Sequence, residues 1–356
     1  MLRSFRSPVT IFTACVCATF VAASTTPAAA QAPSFLSGVL GSTDAVQLPS
    51  SPAAWINSPP LTNEMLAGKA AYFYFFEETC PSCIRRWPEI FAAAKKFEGK
   101  PVVFIAVNSG TPRADLQPYV NDVGLKWPVI VDTDRSFEKA LGVSEINLQN
   151  IYQAQGLMPD GTWQGSTYDL ESGVPSLLTD AKWRVDPVEV PDVLKPAWVQ
   201  VEFGNFASAA LLVKRNLSSP KADVKAAAEK LLAAVMKELE NQVAAAKSAD
   251  DGGQKWNAYK GYSAVVVKFK GYEVPAAAHD AVRTLATDPA VRNELAAQKL
   301  WETAARQLSP AGPPSKAAAA QLQRIVTQHP DTEAGRRAQA ALERTAAPPP
   351  AAASGQ

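Results

Sequence analysis

Phe76-Glu77-Glu78-Thr79-Cys80-Pro81-Ser82-Cys83-Ile84-Arg85-Arg86-Trp87-Pro88 is the stretch on which the reading of this chain turns. Before it, residues 70–76 form a dense aromatic run, a pattern that suits a strand buried on both faces of a mixed or parallel sheet. After it, apolar residues recur at helical spacing from 84 to 97. A strand ends, and Cys80 starts a helix. A helix N-terminus carries roughly half a positive charge, which favours thiolate over thiol. Thiolate is the attacking species in disulfide exchange. Cys83 lies on the same first turn, within reach to resolve a mixed disulfide. Pro81 suits that turn, where no backbone N–H is needed. Glu77 and Glu78 oppose a thiolate and are candidates to shuttle protons. Arg85 and Arg86 pull the other way. The plainer alternative for the two glutamates is a solvated acidic loop.

Outward from this stretch, strand and helix patterns alternate. A short helix near 63–66 precedes the aromatic strand. Strands are expected at 101–107 and 128–131, and helices at 115–123 and 137–141. A strand at 148–152, the turn Pro159-Asp160-Gly161 and a return strand at 162–163 complete the region. Such alternation indicates an α/β layered sheet.

This segment resembles the active-site region of the thioredoxin superfamily, and more narrowly the exported redoxin branch with its DipZ-like and cytochrome-maturation thiol oxidoreductases. The resemblance covers about residues 50–165 and includes the leader Trp55-Ile56-Asn57-Ser58-Pro59-Pro60-Leu61. Pro88, five residues after the second cysteine, matches the helix-bending proline of that family. The resemblance implies a thioredoxin-like fold, a central mixed sheet flanked by helices. It makes Cys80 and Cys83 the catalytic pair, with Pro81, Ser82, Pro88, Glu77 and Glu78 in support. Three positions depart from the family pattern. Thr79 replaces the usual Trp, and Tyr74 replaces a buried acid. The family's cis-proline position falls near Ile146-Asn147-Leu148, where there is no proline. Val174-Pro175-Ser176 comes too late in the chain to supply it. A peroxiredoxin would need Pro-x-x-x-Thr-x-x-Cys, and the residues before Cys80 lack that proline.

Beyond about residue 167 the composition changes. Residues 181–183, 197–214, 222–247, 256–268, 276–286, 289–306 and 316–329 read as helices, with breaks that carry Pro or Gly. An all-α region is expected over 167–345, either a second domain or a helical array of degenerate tetratricopeptide-like pairs. The residues around His329-Pro330-Asp331-Thr332 and 338–342 look like the tail of such a pair. The aromatic residues of this half read most simply as core, with a client-docking surface as the alternative. Residues 346–356 are Pro, Ala and Ser-rich and read as a disordered tail.

At the other end, Arg3 and Arg6, the apolar stretch 9–23 and Ala28-Ala29-Ala30 read as an export signal over 1–30, followed by a linker over 31–53. The apolar run is short for the roughly 20 residues that span a bilayer. An uncleaved anchor, or lipidation at Cys15, would bring membrane association. Of the 4 Cys, Cys15 and Cys17 fall inside this signal, so Cys80 and Cys83 would be the thiols of a mature chain in a periplasmic or extracytoplasmic compartment. The loop they would close is too small for a useful structural staple, and redox work is the better reading.

The chain has 356 residues, a formal charge of +1 and 47% apolar residues, with no basic runs that would mark a nucleic-acid partner or a polybasic membrane patch. Its 2 His, His279 and His329, argue against a transition-metal site, and no cofactor is called for. The expected function is thiol–disulfide exchange with protein substrates and a redox partner protein. The alternatives are a non-catalytic exported scaffold that binds through its helices, and a peroxiredoxin-like antioxidant.

Overall fold

A computed structural model describes residues 46–308 and 314–346. The expected signal over 1–30, most of the linker and the tail beyond 346 lie outside the described residues.

Six strands form one mixed sheet: β1 (Trp55–Ile56), β2 (Ala70–Phe76), β3 (Val102–Ser109), β4 (Val129–Asp132), β5 (Ala154–Leu157) and β6 (Trp163–Ser166), in the order β1-β4-β3-β2-β5-β6. β2, β3 and β4 run parallel, while β5 runs antiparallel to β2 and β6 to β5. The parallel neighbours are joined through α2 (Pro81–Lys95) and α3 (Arg113–Asp122), since a parallel pair needs a long crossover. Every residue of β2 is buried, and successive side chains point to opposite faces. Tyr72, Tyr74 and Phe76 meet Trp87 and Ile90 of α2 and Leu116 and Val120 of α3. Ala71, Phe73 and Phe75 meet Trp55, Leu66, Phe137 and Ile151. The aromatic run therefore holds two cores together through one strand.

The structure departs from the sequence expectations at several places. Residues 46–53, read as the end of a linker, are fastened: Asn63 accepts from the Leu48 amide at 3.1 Å, and the Trp55 indole donates to Pro49 O at 2.7 Å. Residues 148–152 are not a strand; the strand that pairs with β2 begins at Ala154. Residues 181–183 are not helical. Instead α5 (Leu170–Leu177) packs Leu170, Val174 and Leu177 into the core beside Tyr72 and Trp87. Two glycines permit that approach. A Cβ on Gly156 would stand 2.3 Å from Leu177 Cδ2, and one on Gly173 would stand 2.6 Å from Ser166 Oγ.

The rest is helical, as expected. The span 197–214 is two helices, α6 (Lys195–Glu202) and α7 (Phe206–Asn216), because Gly204 takes φ +74° between them. There follow α8 (Ala222–Asp251), α9 (Lys255–Lys268), α10 (Ala276–Leu285), α11 (Pro289–Ala305), α12 (Lys316–Gln328) and α13 (Glu333–Ala346). One apolar core runs through α6 to α10, where Phe206 stacks on Phe269 at 4.8 Å. A smaller core joins α11, α12 and α13 around Leu322, Ile325 and Ala338. No helix among the described residues is long and apolar enough to cross a membrane.

The α/β and helical regions meet across a buried ion pair. Lys69, immediately before β2, lies 3.5 Å from Glu202 of α6, with both side chains at most 1% exposed. Glu202 also accepts from the backbone amides of Arg184 (3.0 Å) and Val185 (2.8 Å). Arg184 in turn pairs with Glu238 of α8 at 2.9 Å. Burial pulls the Lys69 ammonium down to about 8, against the opposing pull of Glu202.

Candidate active site

β2 ends at Phe76, and four residues later Cys80 is the N-cap of α2, with extended backbone at φ −83° and ψ 108°. Its Sγ accepts a hydrogen bond from the Cys83 amide at 3.2 Å, and its carbonyl accepts from the Ile84 amide at 3.2 Å. A sulfur replaces the usual capping oxygen, so the Cys83 N–H, which it shares with the Cys80 carbonyl at 3.1 Å, and the positive end of the helix dipole both face it. Pro81 and Ser82 are exposed on the first turn, and Pro88 is exposed inside the helix. The sequence expectation for this turn therefore matches the geometry.

Both cysteines are free thiols and both are buried, Cys80 at 4% and Cys83 at 6% exposure. Their environments differ. Desolvation, then the Cys80 sulfur beside it, pushes the Cys83 thiol up to about 12. A backbone hydrogen bond from Glu77 and the charge of Arg86 act in the opposite direction. Cys83 stays protonated until something removes its proton.

The two glutamates are both anchored. Glu77 Oε1 accepts from the Thr79 hydroxyl at 3.0 Å, and partial burial raises its carboxyl above the usual range. Glu78 Oε2 accepts from Asn108 Nδ2 at 2.7 Å. Asn108 is fully buried at the end of β3, opposite Phe76 in the register, and its Nδ2 also reaches Phe76 O at 3.3 Å. Its Oδ1 is buried without a hydrogen-bond partner in the structure. Tyr119 of α3 accepts from the Trp87 indole at 2.8 Å and stacks on Phe76 at 5.6 Å. Burial lifts its phenol to about 12, and the charges of Cys83, Cys80 and Glu78 add to the rise. Tyr74, standing where an acid was expected, is buried, and desolvation pushes its phenol up as well.

The segment that leads into β5 beside β2 is not where spacing put it, although Ile146 shares the core that holds both cysteines. Ile146 belongs to a turn held by Arg135 and Glu138. The residues that run into β5 beside β2 are 151–153, where Gln153 O accepts from the Phe75 amide at 3.2 Å. That loop holds no proline, there is no cis peptide bond among the described residues, and Pro175 lies inside α5. Ile151 packs in the same core as Cys80 and Cys83, and Tyr152 is half-exposed.

Sequence reasoning missed Asn108, Tyr119, Tyr152 and Tyr168. Asn108 left a signal, as the polar residue that ends an apolar strand. The others are brought in by tertiary packing alone.

A family model described as the AhpC/TSA family matches residues 57–159. The thiol-disulfide oxidoreductase ResA of Bacillus subtilis is 28% identical over 91 residues, 26% of this chain and 51% of that protein. The ResA of Halalkalibacterium halodurans is 30% identical over 78 residues, 22% of this chain and 44% of that protein. The chain thus spans about half the length of the curated relatives it matches. A solved structure of a secreted Mycobacterium tuberculosis disulfide oxidoreductase is 19% identical, covering 36% of this chain and 96% of that one at a TM-score of 0.28. A thioredoxin family protein from Chlorobium tepidum is 20% identical, covering 38% and 97% at 0.31. With β5 antiparallel beside the parallel β2-β3-β4 core and a cysteine pair on the first turn of the helix after β2, the α/β region of this chain has a thioredoxin-like fold to which a helical region is joined, and its residues 57–159 match the AhpC/TSA family model.

Proposed function

We propose that the protein is an exported thiol–disulfide oxidoreductase acting on protein disulfides or dithiols. The observation that carries this is the Cys80 sulfur at the N-cap of α2, 3.2 Å from the Cys83 amide. Cys80 attacks one sulfur of a substrate disulfide as thiolate. A mixed disulfide forms, and the first substrate sulfur leaves as thiolate. Cys83 then gives up its proton and attacks the Cys80 sulfur. The Cys80–Cys83 disulfide forms, the second substrate sulfur leaves, and the substrate has gained two electrons and two protons. Glu78, fixed by Asn108, is the candidate to accept the Cys83 proton. A partner dithiol restores the pair, and with the opposite partner the same steps run as oxidation.

The test is reduction of insulin or a synthetic peptide disulfide, with the reduction potential of the pair. Cys80→Ser abolishes turnover, and Cys83→Ser accumulates mixed disulfides. Turnover unchanged in both variants sinks the reading. A potential near roughly −270 mV makes the protein a reductant, and one near roughly −120 mV an oxidant.

The depth of both sulfurs favours a second reading, a non-catalytic platform with binding delegated to the helices. Reduced Cys80 that resists alkylation in the folded protein, with a partner retained after both cysteines are replaced, would favour it.

A further inference from the structure

Beside the cysteine pair stands a cation without an anion. Arg86 lies one turn along α2 from Cys83, so their side chains share a face of the helix. Its guanidinium carbon is 5.1 Å from the ring centroid of Tyr152 and 5.1 Å from that of Tyr168. The two rings are 4.8 Å apart. The three centres therefore make a nearly equilateral triangle. The guanidinium rests against the seam between two rings instead of being sandwiched by them, and Arg86 is partly exposed. Tyr152 is 50% exposed and Tyr168 38%. Among the described residues Arg86 makes no ion pair, although Glu89 follows it by one turn and Glu77 and Glu78 are close in sequence. Both glutamates are held elsewhere, by Thr79 and by Asn108.

A guanidinium steadied by aromatic faces loses little freedom on binding and offers a planar fork that fits a carboxylate. Its charge is felt at the Cys83 sulfur and at the Tyr74 phenol, which places it in the same small site as the reacting pair. Tyr152 follows Ile151, which packs in the same core as both cysteines, so a substrate presenting a sulfur there meets the two rings and the guanidinium together. We propose that Arg86, seated on Tyr152 and Tyr168, selects peptide segments that carry an aspartate or glutamate within one or two residues of the exchanging cysteine. This rests on the exchange reading above and gives it a substrate class.

Two measurements keep the proposals apart. The first is binding of synthetic peptides in which the cysteine is replaced by serine, flanked by Asp, Asn or Lys, followed by fluorescence anisotropy at low and high salt. No exchange is possible, so affinity reports recognition alone. The Asp peptide binds about tenfold tighter than the Asn peptide at low salt, and the gap closes in high salt. Arg86→Gln brings the Asp-to-Asn ratio near one, Arg86→Lys restores part of it, and Tyr152→Ala lowers it less than Arg86→Gln. The second is turnover of the matching cysteine disulfides, where kcat/KM follows the same ratio. A ratio near one in the native protein, or a ratio that survives Arg86→Gln, overturns this inference. Selective binding without turnover of any disulfide leaves the recognition standing and overturns the exchange reading instead.

Discussion

At the N-terminal end of β2, Glu202 receives the Lys69 ammonium and two backbone amides, and Arg184 closes the set on Glu238. At the C-terminal end, Asn108 gives Glu78 one hydrogen bond and keeps a buried oxygen without a partner, while Arg86 rests on two tyrosine rings and makes no ion pair among the described residues. The strand thus has at one end a cluster in which each cation faces a carboxylate, with Arg184 Nε alone left without a hydrogen-bond partner, and at the other end a cation that makes no ion pair among the described residues. Buried polar groups that are fully paired fix a structure, and groups left short of partners are where binding or proton transfer can occur. The contrast separates the architectural end of β2 from its reactive end.

The harshest way to break the comparison is at the charge-paired end. Glu202→Ala leaves Lys69 and two amides buried without their acceptor, and is expected to cost about 3–5 kcal/mol in urea unfolding. A cost below about 1 kcal/mol would mean that the cluster is not what joins the regions. At the reactive end, Asn108→Leu releases Glu78 and removes the orphan oxygen together. The resolving step should slow about tenfold with a flattened pH profile, read by quenching the mixed disulfide with acid, while folding stability moves by about 1 kcal/mol or less. Lys69→Met sharpens the contrast if combined with Glu202→Gln, because both buried charges go together while an amide oxygen remains to accept from the Arg184 and Val185 backbone. The pair of changes should leave stability within about 2 kcal/mol of native.

The smallest expected effect is on pH. The folded-state value of Lys69, about 8, lies below its ordinary 10.5. Between those values the unfolded chain holds more protons, so this group makes stability rise with pH across that window and contributes no slope below it. Cys83 works in the opposite sense. Its folded value of about 12 lies above the ordinary 9.0, so the reduced protein loses stability as pH climbs through that range. Urea unfolding of the native protein against Lys69→Met isolates the first trend. Absence of any difference between them above pH 8 would show that Lys69 is solvated.

What the sequence made legible was local. The aromatic strand, the turn and the helix that carries both cysteines are consecutive, so hydrophobic spacing and one capping position were enough. The unread parts depend on distant partners. α5 contains Gly173 and Pro175, poor helix formers, and exists because Gly156 lets Leu177 close on β5. The apolar character of 148–152 imitated a strand, but Ile151 turns into the core beside the cysteines while Tyr152 stays at the surface. Lys69 could not be read from its sequence neighbours, since the acid that makes it structural lies in α6. Arg86 was noticed for its charge, and the rings that hold it came from two separate loops.

β2 also has a mechanical meaning. Its seven residues span about 23 Å, hydrogen-bonded along both edges and covered on both faces. One end is bolted to α6 and the other delivers the chain to Cys80. A load taken up by the helices enters the sheet at Lys69 and has a stiff rod, not a hinge, between it and the sulfur. Whatever the helical region grips is therefore held at a fixed reach from the reactive atom, as a workpiece is held by a vice relative to its tool.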